Sequence, residues 1–314
     1  MIAFVFPGQG AQYAGMGREL AQSSPEAAEV FARADRTLGF PLSAMCWEGP
    51  DELLRQTENT QPAILATSCA VLAVLTARGL APDATAGLSL GEYTALIAAG
   101  VMTMEEALPL VRSRGRFMQE AAAGRRTAMA AILGLTPETV REVCRAASAH
   151  GTVEPSNFNS PGQIVIAGDE PAVQDGIARA KAAGAKRAVL LPVSAPFHTS
   201  LMRPAADRLK PLLEAVPLRE AAIPVVSNVS AQTIRTPGEI RDALTAQVAS
   251  PVRWDDSVRT MVGLGVRAFI EVGPGSSLSG LIRKTVDGVT ILRAEDRATV
   301  EEAVSWALPE KRRA

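Results

Sequence analysis

Cysteine and histidine are scarce in this chain of 314 residues, which has three cysteines and two histidines. Cys46, Cys69 and Cys144 are odd in number and far apart, and no two form a C-x-x-C pair. This pattern argues against a disulfide framework and against a zinc site. We therefore expect no metal, and we expect the protein to work in a reducing cytoplasm.

Excess charge and long apolar runs are also lacking. The formal net charge is −1, so the chain has no general basic field for nucleic acid or an anionic membrane. An acidic partner would need a local basic patch. The apolar start at residues 1–6 is too short for a signal peptide. The most apolar later stretch, residues 62–80, is interrupted by polar residues, which predicts a buried helix and no membrane span.

Short apolar runs alternate with helical patterns, which is typical of a parallel α/β sheet. Strands are predicted at 2–6, 84–88, 223–227 and 267–272, with helices within 16–38, 61–79, 90–99 and after Thr103, where Glu106 completes a capping box. Between them, residues 127–192 follow the order strand, helix, strand, strand, helix, strand, the ferredoxin-like βαββαβ unit. We predict a large α/β domain at 1–124 and 192–314 and a ferredoxin-like subdomain at 125–191.

The segment GLSLGEY at residues 87–93 contains the motif G-x-S-x-G. This motif places a serine at a sharp turn between a strand and a helix, where its hydroxyl is exposed beside helix N-terminal amides. The bare pattern occurs by chance, but here apolar residues precede it and a helical pattern follows. The context favours Ser89 as a nucleophile.

A nucleophilic serine needs a neighbouring base, and the chain offers only His150 and His198. His150 precedes Gly151 at the end of a predicted helix, where a histidine favourably meets the last carbonyls. His198 follows the last strand of the subdomain, where the chain returns to the large domain. A buried structural histidine is the alternative there, but elimination favours His198 as the base.

These residues lie in a series of blocks that resembles the malonyl-CoA:acyl carrier protein transacylases and the acyltransferase domains of polyketide and fatty-acid synthases. The matching blocks are FPGQGAQ at 6–12, GLSLGE at 87–92, VRSRG at 111–115, NFNSPG at 157–162, PFH at 196–198, SNVS at 227–230, Gln247 with SPV at 250–252, and EVGPG at 271–275. The resemblance covers nearly the whole chain. It implies a hydrolase-like α/β domain with a ferredoxin-like insert, in agreement with the order of elements.

The resemblance also implies catalytic roles. Ser89 is the expected acyl-accepting nucleophile and His198 its base, while Gln9 and the main-chain amide of Leu90 form the expected oxyanion site. Gln247 is expected to orient the histidine through its main-chain carbonyl, which would explain the lack of an obvious third carboxylate. From the residues alone, an ordinary turn residue in a glycine-rich loop is the preferred interpretation of Gln9.

Arg114 is implied to bind the free carboxylate of malonate. A guanidinium can hold a carboxylate with two parallel hydrogen bonds, which selects a malonyl over an acetyl group. From sequence alone Arg114 is one of three arginines on a helix, and a solvated face is the default interpretation. Asp169 and Asp175 lie between serine and histidine in sequence, where a helix cap and an exposed helix face are the expected roles.

Three further positions are expected to shape substrate binding. Leu88 replaces the histidine that most often precedes the nucleophile in the family, so we expect activity with altered substrate contacts, which Leu88→His would test. The ring of Phe197 would fill the space of an α-methyl group and favour malonyl over methylmalonyl, although one methyl contributes only about 1 to 3 kcal/mol to the discrimination between two substrates. Asn157 and Asn159 are expected at the wall of a cleft between the domains.

The function that these expectations describe is transfer of malonyl from coenzyme A to the phosphopantetheine thiol of an acyl carrier protein, with a malonyl-serine intermediate and no cofactor. A local basic surface would receive the acidic carrier; the candidates are Lys181, Lys186, Arg187, Arg283 and Lys284. A monomer is the expected state. The sequence does not separate fatty-acid from polyketide synthesis.

Two other classes of function remain open. A serine hydrolase could use the same nucleophile and base, although Arg114 argues against a lipase or esterase. A patatin-like lipase is less favoured, because the Asp287-Gly288 pair that it would use lies in an apparent turn. A nucleotide-binding module could use the glycine-rich turns at 8–10 and 273–275, but neither has the spacing of a Walker loop or a dinucleotide fingerprint.

Overall fold

The apolar runs form two β-sheets within residues 1–193 and 195–313, which the computed structural model describes. The strands are β1 Ile2–Phe6, β2 Ala84–Gly87, β3 Thr127–Leu133, β4 Val153–Ser160, β5 Gln163–Asp169, β6 Arg187–Leu190, β7 Val225–Val226, β8 Thr233–Ile234, β9 Val252–Arg253, β10 Ala268–Val272 and β11 Thr290–Ala294.

Helices connect these strands. They are α1 Arg18–Ser23, α2 Pro25–Leu38, α3 Leu42–Glu48, α4 Asp51–Leu54, α5 Thr57–Ala77, α6 Gly91–Ala98, α7 Met104–Ala122, α8 Pro137–Ala147, α9 Glu170–Ala182, α10 Arg203–Ala215, α11 Pro237–Gln247, α12 Trp254–Gly263, α13 Ser277–Thr285 and α14 Arg297–Arg313. Short 3₁₀ turns lie at Ser148–His150 and Ser200–Met202.

The first sheet has the strand order β11-β10-β1-β2-β7-β8. All neighbours pair in parallel except β7 and β8. The central strand β1 is buried on both faces: Ile2, Phe4 and Phe6 belong to one apolar core, whereas Ala3 and Val5 belong to another. Burial of both faces is typical of a parallel sheet that is covered by helices on each side.

Helix α5 has the length and composition of a membrane span, with a mean hydropathy of 1.5. However, 78% of its most apolar window is buried inside the protein. The helix packs against α2 and α7 in the larger core. The structure thus gives this stretch the buried position that its sequence predicts.

The second sheet has the strand order β6-β3-β5-β4-β9. Its first four strands pair antiparallel, and the chain order of its elements is β3, α8, β4, β5, α9, β6. One face packs against α8 and α9. The other carries Met129 and Val165, which meet Phe197 from the chain that returns to the first sheet.

Several elements differ from their predicted bounds. The helices predicted within 16–38 are α1 and α2, which Ser24 separates, whereas α5 begins four residues before the predicted start at 61. The two-residue strand β9 was not predicted, and it pairs in parallel with β4. A strand this short has no readable period, so only its pairing reveals it. The capping box of α7 is confirmed, with Thr103 and Glu106 bonded reciprocally.

Candidate active site

The carboxyl ends of neighbouring parallel strands meet at one edge of the first sheet. Gln9 follows β1, Ser89 follows β2 and Asn228 follows β7, while the turn before α13 follows β10. Ligand sites in open α/β sheets lie at this edge. A cavity of about 500 Å³ opens there. Its lining includes Gln9, Leu88, Ser89, Leu90, Arg114, Asn157, Asn159, Phe197 and His198.

Ser89 lies in a strained turn between β2 and α6. Its φ of 54° is in the left-handed region, which costs about 1 to 3 kcal/mol for a residue other than glycine. The flanking glycines allow this turn: a Cβ at Gly87 would lie 1.9 Å from the Gly91 carbonyl carbon, and one at Gly91 would lie 2.0 Å from the Phe6 oxygen. The structure therefore gives a steric reason for both glycines of the motif.

Asn228 fastens the turn from the neighbouring strand. Its Oδ1 accepts a hydrogen bond from the Ser89 N–H at 2.6 Å, and its Nδ2 donates to the Gly87 carbonyl at 2.6 Å. The side chain is fully buried. Asn228 therefore satisfies two polar groups on either side of Leu88 and holds the strained conformation in place.

His198 contacts Ser89 directly. Its Nε2 lies 2.7 Å from the Ser89 Oγ, and its Nδ1 lies 2.8 Å from the main-chain oxygen of Gln247. Because a carbonyl oxygen only accepts, Nδ1 carries the proton and Nε2 accepts from the serine hydroxyl. The structure brings the expected pair together and places the Gln247 carbonyl where the orienting group was expected.

The imidazole of His198 is buried and next to a cation. Burial, followed by the charge of Arg114, lowers the pKa of His198 from 6.5 to about 4. The neutral form, which can accept the serine proton, is therefore retained well below neutral pH.

We expect the His198 ring to stay neutral as the pH falls from about 8 to about 5. NMR titration of the ring protons would measure this, with His150→Ala to assign the signals. Because the folded pKa is depressed, His198 contributes stability that is present above pH 6.5 and is lost as the pH falls towards 4. An inflection of the His198 signal above about pH 5 would contradict the prediction.

Arg114 projects from α7 into the buried site and is only 1% exposed. Its Nη2 donates to the Ser89 Oγ at 3.1 Å and to the Gln247 Oε1 at 2.8 Å. Its Nη1 donates to the Gln61 Oε1 at 2.9 Å, and its Nε has no hydrogen-bond partner among the described residues. The default interpretation of Arg114 as a solvated residue is therefore wrong, and a partly free guanidinium lies beside Ser89.

Gln247 connects Ser89, His198 and Arg114 to the buried carboxylate of Glu92. Besides accepting from Arg114, its side chain donates through Nε2 to the Ser89 carbonyl at 3.0 Å and to the Glu92 Oε2 at 2.7 Å. Its main-chain oxygen accepts from His198. One fully buried residue thus contacts Ser89, His198, Arg114 and Glu92.

The other expected site residues line the cavity. Leu88 and Phe197 are half-buried, and each packs against a hydrophobic core. Asn157 bonds to Ser156, whereas the buried Oδ1 of Asn159 has no partner. The Gln9 side chain donates to the Thr57 hydroxyl at 3.3 Å. Leu90 directly precedes α6, where main-chain amides lack partners within the helix.

The remaining titratable candidates lie outside this cavity. His150 is exposed in the 3₁₀ turn after α8. Asp169 pairs with Arg125 at 2.9 Å, and Asp175 pairs with Arg179 at 2.6 Å. Asp169 is the N-cap residue of α9, as expected, although its side chain makes no capping hydrogen bond. Their ion pairs give both aspartates ordinary surface roles.

The five basic candidates are exposed. Lys186 and Lys284 line a second groove of about 1430 Å³ beside the smaller sheet, and Lys284 also lines the serine cavity. The other three are absent from both linings. Glu138, Asp255 and Asp256 also line the groove, so its charge is mixed.

Sequence reasoning missed Gln61, Asn228 and Glu92 as members of the site. Glu92 had a readable signal, because it is an acidic residue in the otherwise apolar helix sequence GEYTALIA. Asn228 lies in the matching block SNVS, but the resemblance assigned it no role, and Gln61 had no signal, since isolated amides are ordinary in helices. Within the described ranges, no group of three His, Cys, Asp or Glu side chains could hold a metal ion.

Comparisons with known proteins agree with the geometry. A family model described as "Acyl transferase domain" matches residues 3–306. The malonyl CoA-acyl carrier protein transacylase of Bacillus subtilis (strain 168) is 46% identical over 304 residues, which are 96% of each chain.

Solved structures give the same result. An acyl carrier protein S-malonyltransferase from Vibrio cholerae has a TM-score of 0.94 and 44% identity, over 96% of this chain and 99% of that one. A chain from a solved complex of a type II PKS acyl-carrier protein with its malonyl-transacylase has a TM-score of 0.94 and 43% identity. It covers 97% of this chain and 99% of its own length. The similarity therefore extends over nearly the entire fold.

Proposed function

The chain belongs to the acyl transferase domain family, and we propose from this premise that it transfers malonyl from coenzyme A to an acyl carrier protein. The observation that carries the proposal is the contact of Arg114 with Ser89, which puts a cation 3.1 Å from the nucleophilic oxygen. A plain alkyl acyl group has no charge to pair with this cation, whereas a malonyl group carries a carboxylate that can form hydrogen bonds with it. Relatives with this activity are 39–47% identical.

We propose a ping-pong mechanism through a malonyl-serine ester. Ser89 Oγ attacks the thioester carbonyl carbon while His198 Nε2 takes the hydroxyl proton. The carbon–sulfur bond then breaks, and His198 returns the proton to the leaving thiolate. The thiol of the carrier's phosphopantetheine arm repeats these steps in reverse on the serine ester. The neutral, correctly oriented imidazole supports the first step.

The cavity supplies the other groups that the mechanism needs. Arg114 would hold the malonyl carboxylate with the Nη hydrogens that do not bond to Gln61 or Gln247, so that both amides keep their bonds to the guanidinium. The negative oxygen of the tetrahedral intermediate would lie between Gln9 and the main-chain amide of Leu90. Leu88 and Phe197 would bound the acyl group, and the two asparagines of β4 would line the opposite wall.

The expected partner is an acidic acyl carrier protein. Lys284 supports this, because it lies at the junction of the serine cavity and the larger groove. Exposed cations at the mouth of a cavity increase the rate of encounter with an acidic protein. No cofactor is needed, since coenzyme A and the phosphopantetheine arm enter with the substrates.

Intact-protein mass spectrometry tests this function against its main alternative, a serine hydrolase. We expect brief exposure to malonyl-CoA to give a malonyl adduct on the protein, and added holo acyl carrier protein to take up the group. Apo carrier protein, which lacks the thiol, is the matched control. An adduct that is lost to water at the same rate with either carrier would identify a hydrolase.

We also propose a division of the chain and a state in solution. Residues 1–124 and 192–314 would form a hydrolase-like domain, and 125–191 a ferredoxin-like subdomain, which the strand order β6-β3-β5-β4 supports. Hydrogen exchange would test the boundaries, because the amides of residues 125–191 should exchange together and separately from the rest of the chain. A cytoplasmic monomer is the expected state, to be tested by cell fractionation and light scattering.

A further inference from the structure

Glu92 is a fully buried acid in the first turn of α6, three residues after the nucleophile. The reaction proposed above does not use it. The rest of the helix is apolar except for Thr94, so the carboxyl group has no solvent on its own face. A buried carboxylate costs free energy unless its hydrogen bonds and a nearby cation compensate.

The contacts of Glu92 are concentrated on one oxygen. Oε2 accepts from the Gln247 Nε2 at 2.7 Å and from the Asn228 main-chain N–H at 3.2 Å. Oε1 is buried and has no hydrogen-bond partner in the part of the chain that the structure describes. Both partners of Oε2 also contact the nucleophile's turn, since Gln247 bonds to the Ser89 carbonyl and Asn228 to the Ser89 N–H.

An ionised carboxylate accepts hydrogen bonds and donates none. Together with the Ser89 carbonyl, which also only accepts, it holds the Gln247 amide in the orientation in which its NH2 faces the two acceptors and its oxygen faces Arg114. The reverse orientation would place an NH2 group against the guanidinium and leave two donors opposed. The direction of donation thus runs from Arg114 through Gln247 to Glu92.

We propose that Glu92 is a positioning residue that sets this direction and thereby aims the guanidinium of Arg114 at the carboxylate of the acyl group. The inference rests on the proposed malonyl transfer. Glu92 touches neither substrate nor reacting atoms, so it acts through Gln247. Arg114 donates to the oxygen of the Gln247 amide, and Glu92 accepts from its NH2. Glu92 therefore constrains the orientation of Arg114 through this amide.

The ionisation of Glu92 sets the conditions for a test. Burial raises the pKa of Glu92 to about 7, against the opposing effects of the Gln247 and Asn228 hydrogen bonds and the charge of Arg114. Measurements at a pH of about 8 keep the carboxylate ionised in the wild type. Under those conditions Glu92→Gln preserves the size of the side chain but allows it to donate as well as accept.

The experiment compares the wild type, Glu92→Gln and Glu271→Gln. Glu271 is the matched control, since it is 1% exposed and its carboxylate accepts from the N–H groups of Leu278 and Ser279 at the start of α13, whereas Glu92 accepts from Gln247 and Asn228. Three quantities are measured: the rate of serine acylation by malonyl-CoA, the same rate with acetyl-CoA, and the rate of labelling by a fluorophosphonate. The last reports the reactivity of Ser89 and His198 without any acyl carboxylate.

We expect Glu92→Gln to lower the malonyl-to-acetyl ratio about tenfold, while fluorophosphonate labelling stays within about threefold of the wild type. Glu271→Gln should lower the melting temperature and leave the ratio unchanged. A parallel loss of malonylation and labelling in Glu92→Gln would indicate a merely structural residue and overturn the inference. An unchanged ratio would also overturn it.

The same comparison separates this inference from the proposed function. A wild type that reacts with the fluorophosphonate but takes no malonyl group would overturn the proposed function, and the role of Glu92 with it. A wild type that is malonylated, with the same ratio in Glu92→Gln, would overturn the role of Glu92 alone.

Discussion

Ser89→Ala is expected to abolish the malonyl adduct and to lower malonyl transfer to the carrier by at least about 10⁴-fold. The reason is that the hydroxyl at 2.7 Å from His198 Nε2 is the group to which the acyl chain would be bonded. Without it, His198 could only activate another nucleophile. Intact-protein mass spectrometry measures the adduct, and a radiolabelled malonyl group measures the transfer.

The folded state should tolerate this change. The hydroxyl contacts only His198 and Arg114 among the hydrogen bonds found, so its removal should cost about 0.5 to 1.5 kcal/mol of the free energy of unfolding. Ser23→Ala, at the exposed end of α1, is the control for handling and folding. A malonyl adduct that persists in folded Ser89→Ala would show that another residue carries the acyl group.

Arg114→Ala should lower the rate of acylation by malonyl-CoA about 100-fold, while the rate with acetyl-CoA stays within about threefold. The guanidinium is buried, and no other cation lines the cavity near Ser89 except Lys284 at its mouth. A malonyl carboxylate would therefore enter without a partner, which opposes its desolvation. Single-turnover acylation by each thioester measures the two rates.

Arg116→Ala is the matched control for this variant. Arg116 lies two residues further along α7, but its side chain is exposed and 3.9 Å from Glu120. Exposed ion pairs of this kind contribute little to the free energy of unfolding, so both acylation rates should match those of the wild type. Equal losses with malonyl-CoA and acetyl-CoA in Arg114→Ala would instead show that Arg114 supports Ser89 or the fold and does not select the acyl group.

Much of the site could be predicted because its signals are local. The glycines of GLSLGEY indicate a turn with no space for a Cβ, and in the structure a Cβ at Gly87 or Gly91 would lie about 2 Å from main-chain atoms. His198 could be found because the chain has only two histidines. Arg114, Gln9 and Gln247 came only from the resemblance, since an arginine on a helix and a lone glutamine have many ordinary explanations.

The sequence by itself determined the alternation of strands and helices, the turn at Ser89 and the shortage of possible bases, since each depends on neighbouring residues or on composition. Only the tertiary structure decided that Asn228 and Gln247 hold Ser89, because these contacts span 139 and 158 residues. The burial of Arg114 against Gln247, and of Glu92 behind it, was decided in the same way. Hydrogen bonds of that kind leave no periodic trace in a sequence, because they form only when folding brings the helices α7 and α11 against the turns that follow β2 and β7.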